Sequence, residues 1–154
     1  MSGREPGTDC FTCAVNNGCE QPPGGVIYED ELWIADHGVS RLVAGYVVLK
    51  PKRHVHELAD LESTEAATLG PALQSLLAAM RAALRPERIY VCSFAETVHH
   101  LHFHLLPRYE HMPSMGPDLL PALFTEGRWK CTVVEAVAAA EAIRAALSTV
   151  GPLD

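Results

Sequence analysis

The chain has 154 residues, 48% of them apolar and 20% charged, with a formal net charge of −7. That length and composition predict one globular domain, 1–154, with its own core. The acidic balance and the lack of a basic stripe argue against binding to a nucleic acid backbone, though a small anionic ligand needs only local positive charge.

No run of about 18 apolar residues predicts a membrane span. The opening "MSGREPGTDC" has no apolar signal region. Five cysteines, an odd number, argue against a closed disulfide framework. The expected compartment is therefore the cytoplasm, where clustered cysteines are free, catalytic or metal-bound.

Residues 1–25 read as a loop, with "DCFTC" followed by the turn-rich "NNG" and "QPPGG". "VIYED" and "ELWIAD" (26–36) predict two short strands around Glu29-Asp30-Glu31. "RLVAGYVVLKP" (41–51) predicts a central strand stopped by Pro51. A helix follows over 63–84, capped by Asp60 or Ser63, with a stripe through Leu69, Leu73, Leu76, Leu77 and Met80 and a kink or restart at Gly70-Pro71. "RIYVCSF" (88–94) and "VHHLHFHLL" (98–106) predict two more strands, the second ended by Pro107. The proline-rich stretch 107–131 reads as a surface loop, and 132–150 as a C-terminal helix. This order predicts an α+β fold, with helices on an antiparallel sheet.

The stretch "HHLHFHLL" carries the chemistry. On a strand, His100, His102 and His104 share one face, and Leu101, Phe103 and Leu105 share the other. Three imidazoles on one face of an otherwise apolar strand exceed what a chance surface supplies. A single three-histidine metal site fits the spacing poorly. Neighbouring same-face Cα atoms lie about 7 Å apart and the outer pair about 13 Å, against Zn–N bonds near 2.1 Å. One metal takes one or two of the three, and at least one histidine stays free. A neutral imidazole is a good nucleophile near pH 7, so the row suits covalent acid–base chemistry on an anionic substrate. The "Cys10-Phe11-Thr12-Cys13" pair is by itself redox-active, metal-binding or idle. The βαβ context of a thioredoxin-like motif is absent.

"HLHFHLL" (100–106) followed by Pro107-Arg108 resembles the histidine triad motif, His-φ-His-φ-His-φ-φ with φ apolar. "VIYEDELWIA" and "GYVVLKPKRHVHEL" are similar to that family's early strands, so the resemblance spans about residues 10–110. It implies a sheet of about five strands continued across a homodimer. It also implies nucleotidyl hydrolysis or transfer through a nucleotidyl-His102 intermediate, on dinucleoside polyphosphates or nucleoside phosphoramidates. His104 would hold phosphate oxygens and Thr97 would bond the leaving group.

In zinc-bearing members an N-terminal C-x-x-C joins two histidines. The resemblance thus implies Cys10, Cys13, His54 and His100 as a structural Cys₂His₂ site, with Cys19 a rival ligand. Cys92 and Cys131 are expected to be buried thiols. His37, His56, His99 and His111 are expected in loops or on the surface.

The chain departs from the family before the triad. "VCSFAETVHH" has no glycine, Ser93 stands near the family's Asn, and Glu96 replaces a Gln. The "IADHGVSRLVAGY" segment is longer than usual, and Tyr46 replaces a His. Asp36, Ser93 and Arg108 are the expected substrate-binding residues, with Asp36 on the ribose, and Lys50, Lys52 and Arg53 could add local positive charge. The altered loop also suits a different class, a zinc-stabilised nucleotide-binding or sensing protein with little catalysis.

Overall fold

The computed structural model describes residues 9–149. Its centre is a five-stranded antiparallel sheet in the order β1-β2-β3-β5-β4. The strands are β1 (Val26–Glu29), β2 (Trp33–His37), β3 (Val47–Pro51), β4 (Arg88–Cys92) and β5 (Phe103–Arg108). The helices are α1 (Phe11–Asn16), α2 (Ser63–Leu84), α3 (Leu120–Phe124) and α4 (Val133–Thr149). The α+β antiparallel architecture is the one expected.

Alternation along the strands divides the sheet into two faces. Trp33, Ala35, Val47, Leu49, Phe103 and Leu105 point to one side. There they meet Ala72, Leu76, Ala79 and Met80 of α2 and Ala140 and Ile143 of α4 in the main core. Trp33, fully buried, satisfies its indole by donating to the Thr68 hydroxyl at 2.9 Å. The opposite face carries Asp36, Val48, Lys50 and His104. One side of the sheet therefore carries the main core, and the other is divided between a second, smaller core and a polar area open to chemistry.

Several boundaries differ from the sequence expectation. The N-terminal loop contains α1, whose first turn is capped by Cys10: its Sγ lies 3.5 Å from the Cys13 N–H. The central strand starts at Val47, because residues 41–46 make a turn with Arg41 and Gly45 in left-handed conformations. The final strand runs from Phe103 to Arg108, with Pro107 inside it opposite Ile89. His100 and His102 therefore precede the strand proper.

Helix α2 has the expected limits and continues through Pro71. Its N-cap is Glu62, not Asp60 or Ser63, and the Glu62 N–H donates to Glu65 at 2.8 Å. Residues 107–131 are more than a surface loop. Met112, Leu119, Ala122 and Leu123 close a second core against Val43, Tyr46 and Leu106. Residue 150 of the predicted C-terminal helix lies outside the described residues.

Candidate functional site

Four side chains meet at the start of the triad segment. The ligand atoms of Cys10, Cys13, His54 and His100 lie within 4.8 Å of one another. Cys13 Sγ is 3.3 Å from His54 Nδ1 and 3.5 Å from His100 Nδ1, and Cys10 Sγ is 3.6 Å from His100 Nδ1. A tetrahedral ion with Zn–S and Zn–N bonds of ordinary length has ligand–ligand edges of roughly 3.4–3.8 Å, so the set fits such an ion.

The outer contacts fit as well. His100 Nε2 donates to the Pro51 carbonyl at 3.0 Å, which leaves Nδ1 with its lone pair facing the thiols. Burial pushes His100 down to about 4, keeping it neutral. Burial and the neighbouring Cys10 push the Cys13 thiol up to about 11 when nothing cationic sits beside it, and a bound cation would reverse that.

His56 stands outside the four-atom cluster and bonds His54, Nε2 to Nε2, at 3.1 Å. Cys19 is exposed and also outside the cluster.

A cavity of about 530 Å³ opens on the sheet face that carries Asp36, Lys50 and His104. Its wall includes Phe11, Thr12 and Val15 of α1, and its sheet side carries Asp36, Val48 and Lys50. His102, His104, Thr97 and Phe124 also line it. Cys10 and Cys13 bracket Phe11 and Thr12, so the Cys₂His₂ cluster anchors the helix that walls this cavity.

The two cavity histidines are oriented by fixed acceptors and donors. His102 Nδ1 lies 2.6 Å from the His100 carbonyl oxygen. A carbonyl only accepts, so Nδ1 carries the proton and Nε2 the lone pair in the neutral ring. His104 has the opposite arrangement. The buried Tyr46 phenol, held protonated by burial, accepts from the Ser40 hydroxyl, which leaves its own O–H to donate to His104 Nδ1 at 2.6 Å. His104 Nε2 therefore carries the N–H. Burial pushes His104 down to about 4, so the ring is neutral at pH 7. The two rings stand edge to face with centroids 4.8 Å apart. One imidazole thus offers a lone pair beside another that offers a donor.

Tyr46 sits there because residue 38 is glycine: a Cβ at Gly38 would lie 2.0 Å from Tyr46 Cε1. The Tyr46 ring stacks on His104 at 5.8 Å. On the other side of His104, Phe94 and Phe124 approach to 5.8 and 5.1 Å and form a half-exposed aromatic rim.

The remaining expected residues divide. Asp36 lies in the cavity, bonded to Lys50 in an ion pair whose members are each 3% exposed. Burial pushes the Asp36 carboxyl up and Lys50 opposes that shift. Ser93 donates its hydroxyl to the His102 carbonyl at 2.7 Å and so holds the triad backbone. Arg108 ends β5 and is not among the cavity-lining residues; its Nε is buried without a described partner. Lys52 pairs with Glu29 at 2.8 Å, and Arg53 grips the buried Glu65 at 2.7 and 3.0 Å. Of the four basic residues considered, Lys50 alone lines the cavity.

The sequence offered Lys50 as one of several possible sources of positive charge and Tyr46 as a replacement for a family His, but neither the Asp36 ion pair nor the bond from Tyr46 to His104 was read from it. His37 is a correction: it is fully buried on β2, and its Nε2 accepts from the Gly45 N–H at 3.0 Å. His99 and His111 are exposed. Cys131 is buried and Cys92 half-buried.

Comparison with known proteins places this architecture. The family model described as the HIT domain matches residues 20–111. An uncharacterised HIT-like protein of Methanocaldococcus jannaschii is 25% identical over 66% of this chain and 80% of its own length. Among solved structures, a Hit-like protein from Bartonella henselae superposes with a TM-score of 0.71 at 23% identity, covering 90% of this chain and 96% of that one. A Zn-bound histidine triad family protein from Mycobacterium smegmatis gives 0.68 at 22% identity over 92% and 95%.

Proposed function

Because the chain belongs to the HIT domain family, whose model covers residues 20–111, we propose that it is a nucleotide hydrolase or transferase working through a nucleotidyl-His102 intermediate. The observation that carries this reading is the His102 ring. Its Nδ1–H is spent on the His100 carbonyl, and its Nε2 lone pair belongs to a residue lining the cavity.

In the first half-reaction His102 Nε2 attacks the α-phosphorus, the P–N bond forms, and the bond to the leaving oxygen or nitrogen breaks. The Thr97 hydroxyl, on the cavity wall, donates a hydrogen bond to the departing atom; a phosphate leaves as the anion, and an amine leaves after taking a proton from solvent water. His104 Nε2–H donates to a non-bridging phosphoryl oxygen, where charge concentrates in the transition state. In the second half-reaction water or another acceptor attacks the same phosphorus, loses a proton and releases His102. Splitting one displacement into two is the gain that a neutral, oriented imidazole provides. The substrates are dinucleoside polyphosphates or nucleoside phosphoramidates.

Cys10, Cys13, His54 and His100 hold zinc in this reading. The ion fixes α1 and the backbone before β5, and with four protein ligands it has a structural role. No described helix is long and apolar enough to cross a membrane, and the expected compartment is the cytoplasm. We also propose a homodimer through β4, an edge strand of the sheet whose Val91 is 43% exposed.

The test is mass spectrometry of a quenched reaction with an adenylylated amine or diadenosine polyphosphate. A nucleotidyl adduct on His102, absent in His102→Ala, is the expected result. Full activity in His102→Ala would sink the assignment. One observation favours a nucleotide-binding or sensing role instead: Ser93 spends its hydroxyl on the backbone, so that position offers no grip on substrate. Nucleotide binding without turnover would select that reading.

A further inference from the structure

Beside His104 two aromatic rings stay half in solvent. Phe94 is 50% exposed and Phe124 39%, although the neighbouring Leu119 and Leu123 are fully buried. The two rings meet edge to face with centroids 5.8 Å apart. Next to them lies a shallow cleft of about 460 Å³, lined by Phe94, Pro117, Leu120, Pro121, Phe124 and Thr125. None of the six carries a charge. Phe124 lines both this cleft and the catalytic cavity, so the two spaces adjoin. All but Phe94 lie beyond residues 20–111, the part matched by the family model. Contiguous apolar area left in water at the edge of a site marks a surface that something covers.

The loop carrying Phe94 is fixed to the reacting centre. Its Ser93 hydroxyl donates to the His102 carbonyl at 2.7 Å. Ala95 is held in a left-handed conformation, φ 52°, which is strained for a residue with a Cβ. Thr97, which donates to the departing atom, lines the catalytic cavity. Strand order sets the direction. β4 flanks β5 on the side away from β3 and β2. A nucleoside with its ribose at Asp36 on β2 therefore leaves the β4 side of the α-phosphorus to the departing group. Phe94 follows β4 by two residues, and Phe124 stands beside it.

This side is poorly suited to a polyphosphate. The cleft offers no cation, and Lys50, the lysine of the catalytic cavity, is bonded to Asp36. The loop itself carries the exposed Glu96, and the chain has a net charge of −7. A departing nucleoside polyphosphate would bring several negative charges there without partners. An amine departs neutral or cationic. An aromatic or apolar substituent on it would cover the two phenylalanine rings and gain their edge or face contacts.

We propose that Phe94, Leu120 and Phe124 form a leaving-group subsite, selective for nucleoside phosphoramidates whose amine carries an aromatic or bulky apolar substituent. The proposal rests on the nucleotidyl-His102 reading for where the leaving group departs. Phe94 and Phe124 hold the substituent while Thr97 bonds the nitrogen that leaves.

The test holds the nucleoside constant and varies the leaving group. It compares the phenethylamine and methylamine amides of adenosine 5′-phosphate with diadenosine polyphosphate. Wild type is expected to favour the phenethyl amide over the methyl amide by about tenfold or more in kcat/KM, with diadenosine polyphosphate the poorest of the three. Phe94→Ala and Phe124→Ala are each expected to bring the phenethyl-to-methyl ratio to within about threefold. The ratio cancels any effect of these rings on His104 itself. Phe124→Tyr, which keeps the ring, is expected to retain the preference. Leu120→Gln alters the cleft without changing the rings against His104 and is expected to lower the ratio as well, so the test stands even where a phenylalanine variant fails to fold.

Calorimetric binding of the two amides to His102→Ala gives a second readout, independent of turnover. Tighter binding of the phenethyl amide that is lost on adding Phe94→Ala, with no adduct formed by wild type, would uphold the subsite and overturn the catalytic reading. An adduct on His102 together with equal kcat/KM for the two amides would overturn the subsite alone. A preference for diadenosine polyphosphate, or a phenethyl preference unchanged in the folded alanine variants, would also overturn it. Light scattering covers the remaining occupant: alanine variants that change the oligomeric state and leave the ratio unchanged would assign the rings to a second copy of the chain and overturn the subsite.

Discussion

Tyr46→Phe isolates the contact that orients His104. The substitution removes one oxygen and leaves the ring that stacks on His104 at 5.8 Å. It deletes a donor 2.6 Å from a buried Nδ1. An unsatisfied buried acceptor of this kind costs about 2 kcal/mol, which in a chain of this size lowers Tm by about 4–8 °C. The catalytic effect comes from the proton on the other nitrogen. Without the phenol both neutral tautomers are populated and the ring loses its tether, so Nε2–H is aimed at the phosphoryl oxygen only part of the time. Complete loss of such a donor costs about 100- to 1000-fold in kcat. A donor that is weakened rather than removed should cost about tenfold, with KM little changed. Steady-state kinetics on a nucleoside phosphoramidate measures the rate. Long-range ¹H–¹⁵N correlation spectra report the His104 tautomer, expected as Nε2–H in wild type and mixed in the variant. A variant with lowered Tm but unchanged kcat and an unchanged tautomer would refute the reasoning.

Four further outcomes follow from the same geometry. Gly38→Ala should behave like a harsher Tyr46→Phe, because the added Cβ would meet Tyr46 at 2.0 Å and the phenol must leave His104; wild-type kcat together with wild-type Tm would contradict this. Cys13→Ser should abolish zinc binding measured by elemental analysis. It should also raise KM by about tenfold, equivalent to about 1.4 kcal/mol, more than it lowers kcat, because the helix it anchors walls the cavity; retained zinc with unchanged KM would contradict that reading. His102→Ala should lower kcat/KM by on the order of a thousandfold or more while leaving Tm within a few degrees of wild type. Stability should also depend on pH through His104. Its folded pKa of about 4 lies below the ordinary 6.5, so its contribution is fully present above 6.5 and is lost as pH falls from there towards 4. That gap corresponds to ~3 kcal/mol, and denaturant unfolding at pH 7, 5.5 and 4.5 should show a decline that is smaller in His104→Gln.

By itself the sequence determined the elements whose signal is local. The α2 limits followed from a helical stripe with a good start and stop, and the strand pair 26–36 followed from alternation around a charged turn. The triad was legible as a pattern of alternating histidines and apolar residues, although alternation as such governs only His104, the one member that lies on β5. The C-x-x-C was legible as a pair, but its partners were reached through a family resemblance, since His54 and His100 stand 41 and 87 residues from Cys13.

Tertiary structure decided the rest. The three triad histidines sit in different surroundings because β5 begins only at Phe103. His100 is left to meet the cysteines, while His102 and His104 enter the cavity. Which nitrogen of each ring carries the proton depends on the His100 carbonyl and on the Tyr46 phenol, 58 residues from His104. The 107–131 segment, read as a loop for want of periodicity, supplies a second core because its few apolar residues converge on Tyr46 and Leu106. Of the basic residues that the sequence offered, register singled out Lys50 by placing it on the same face as Asp36, Val48 and His104. The physical reason is common to all four cases. Alternation and capping act between near neighbours, whereas a proton's position, a buried ion pair and a cavity wall are fixed by groups that only the folded chain brings together.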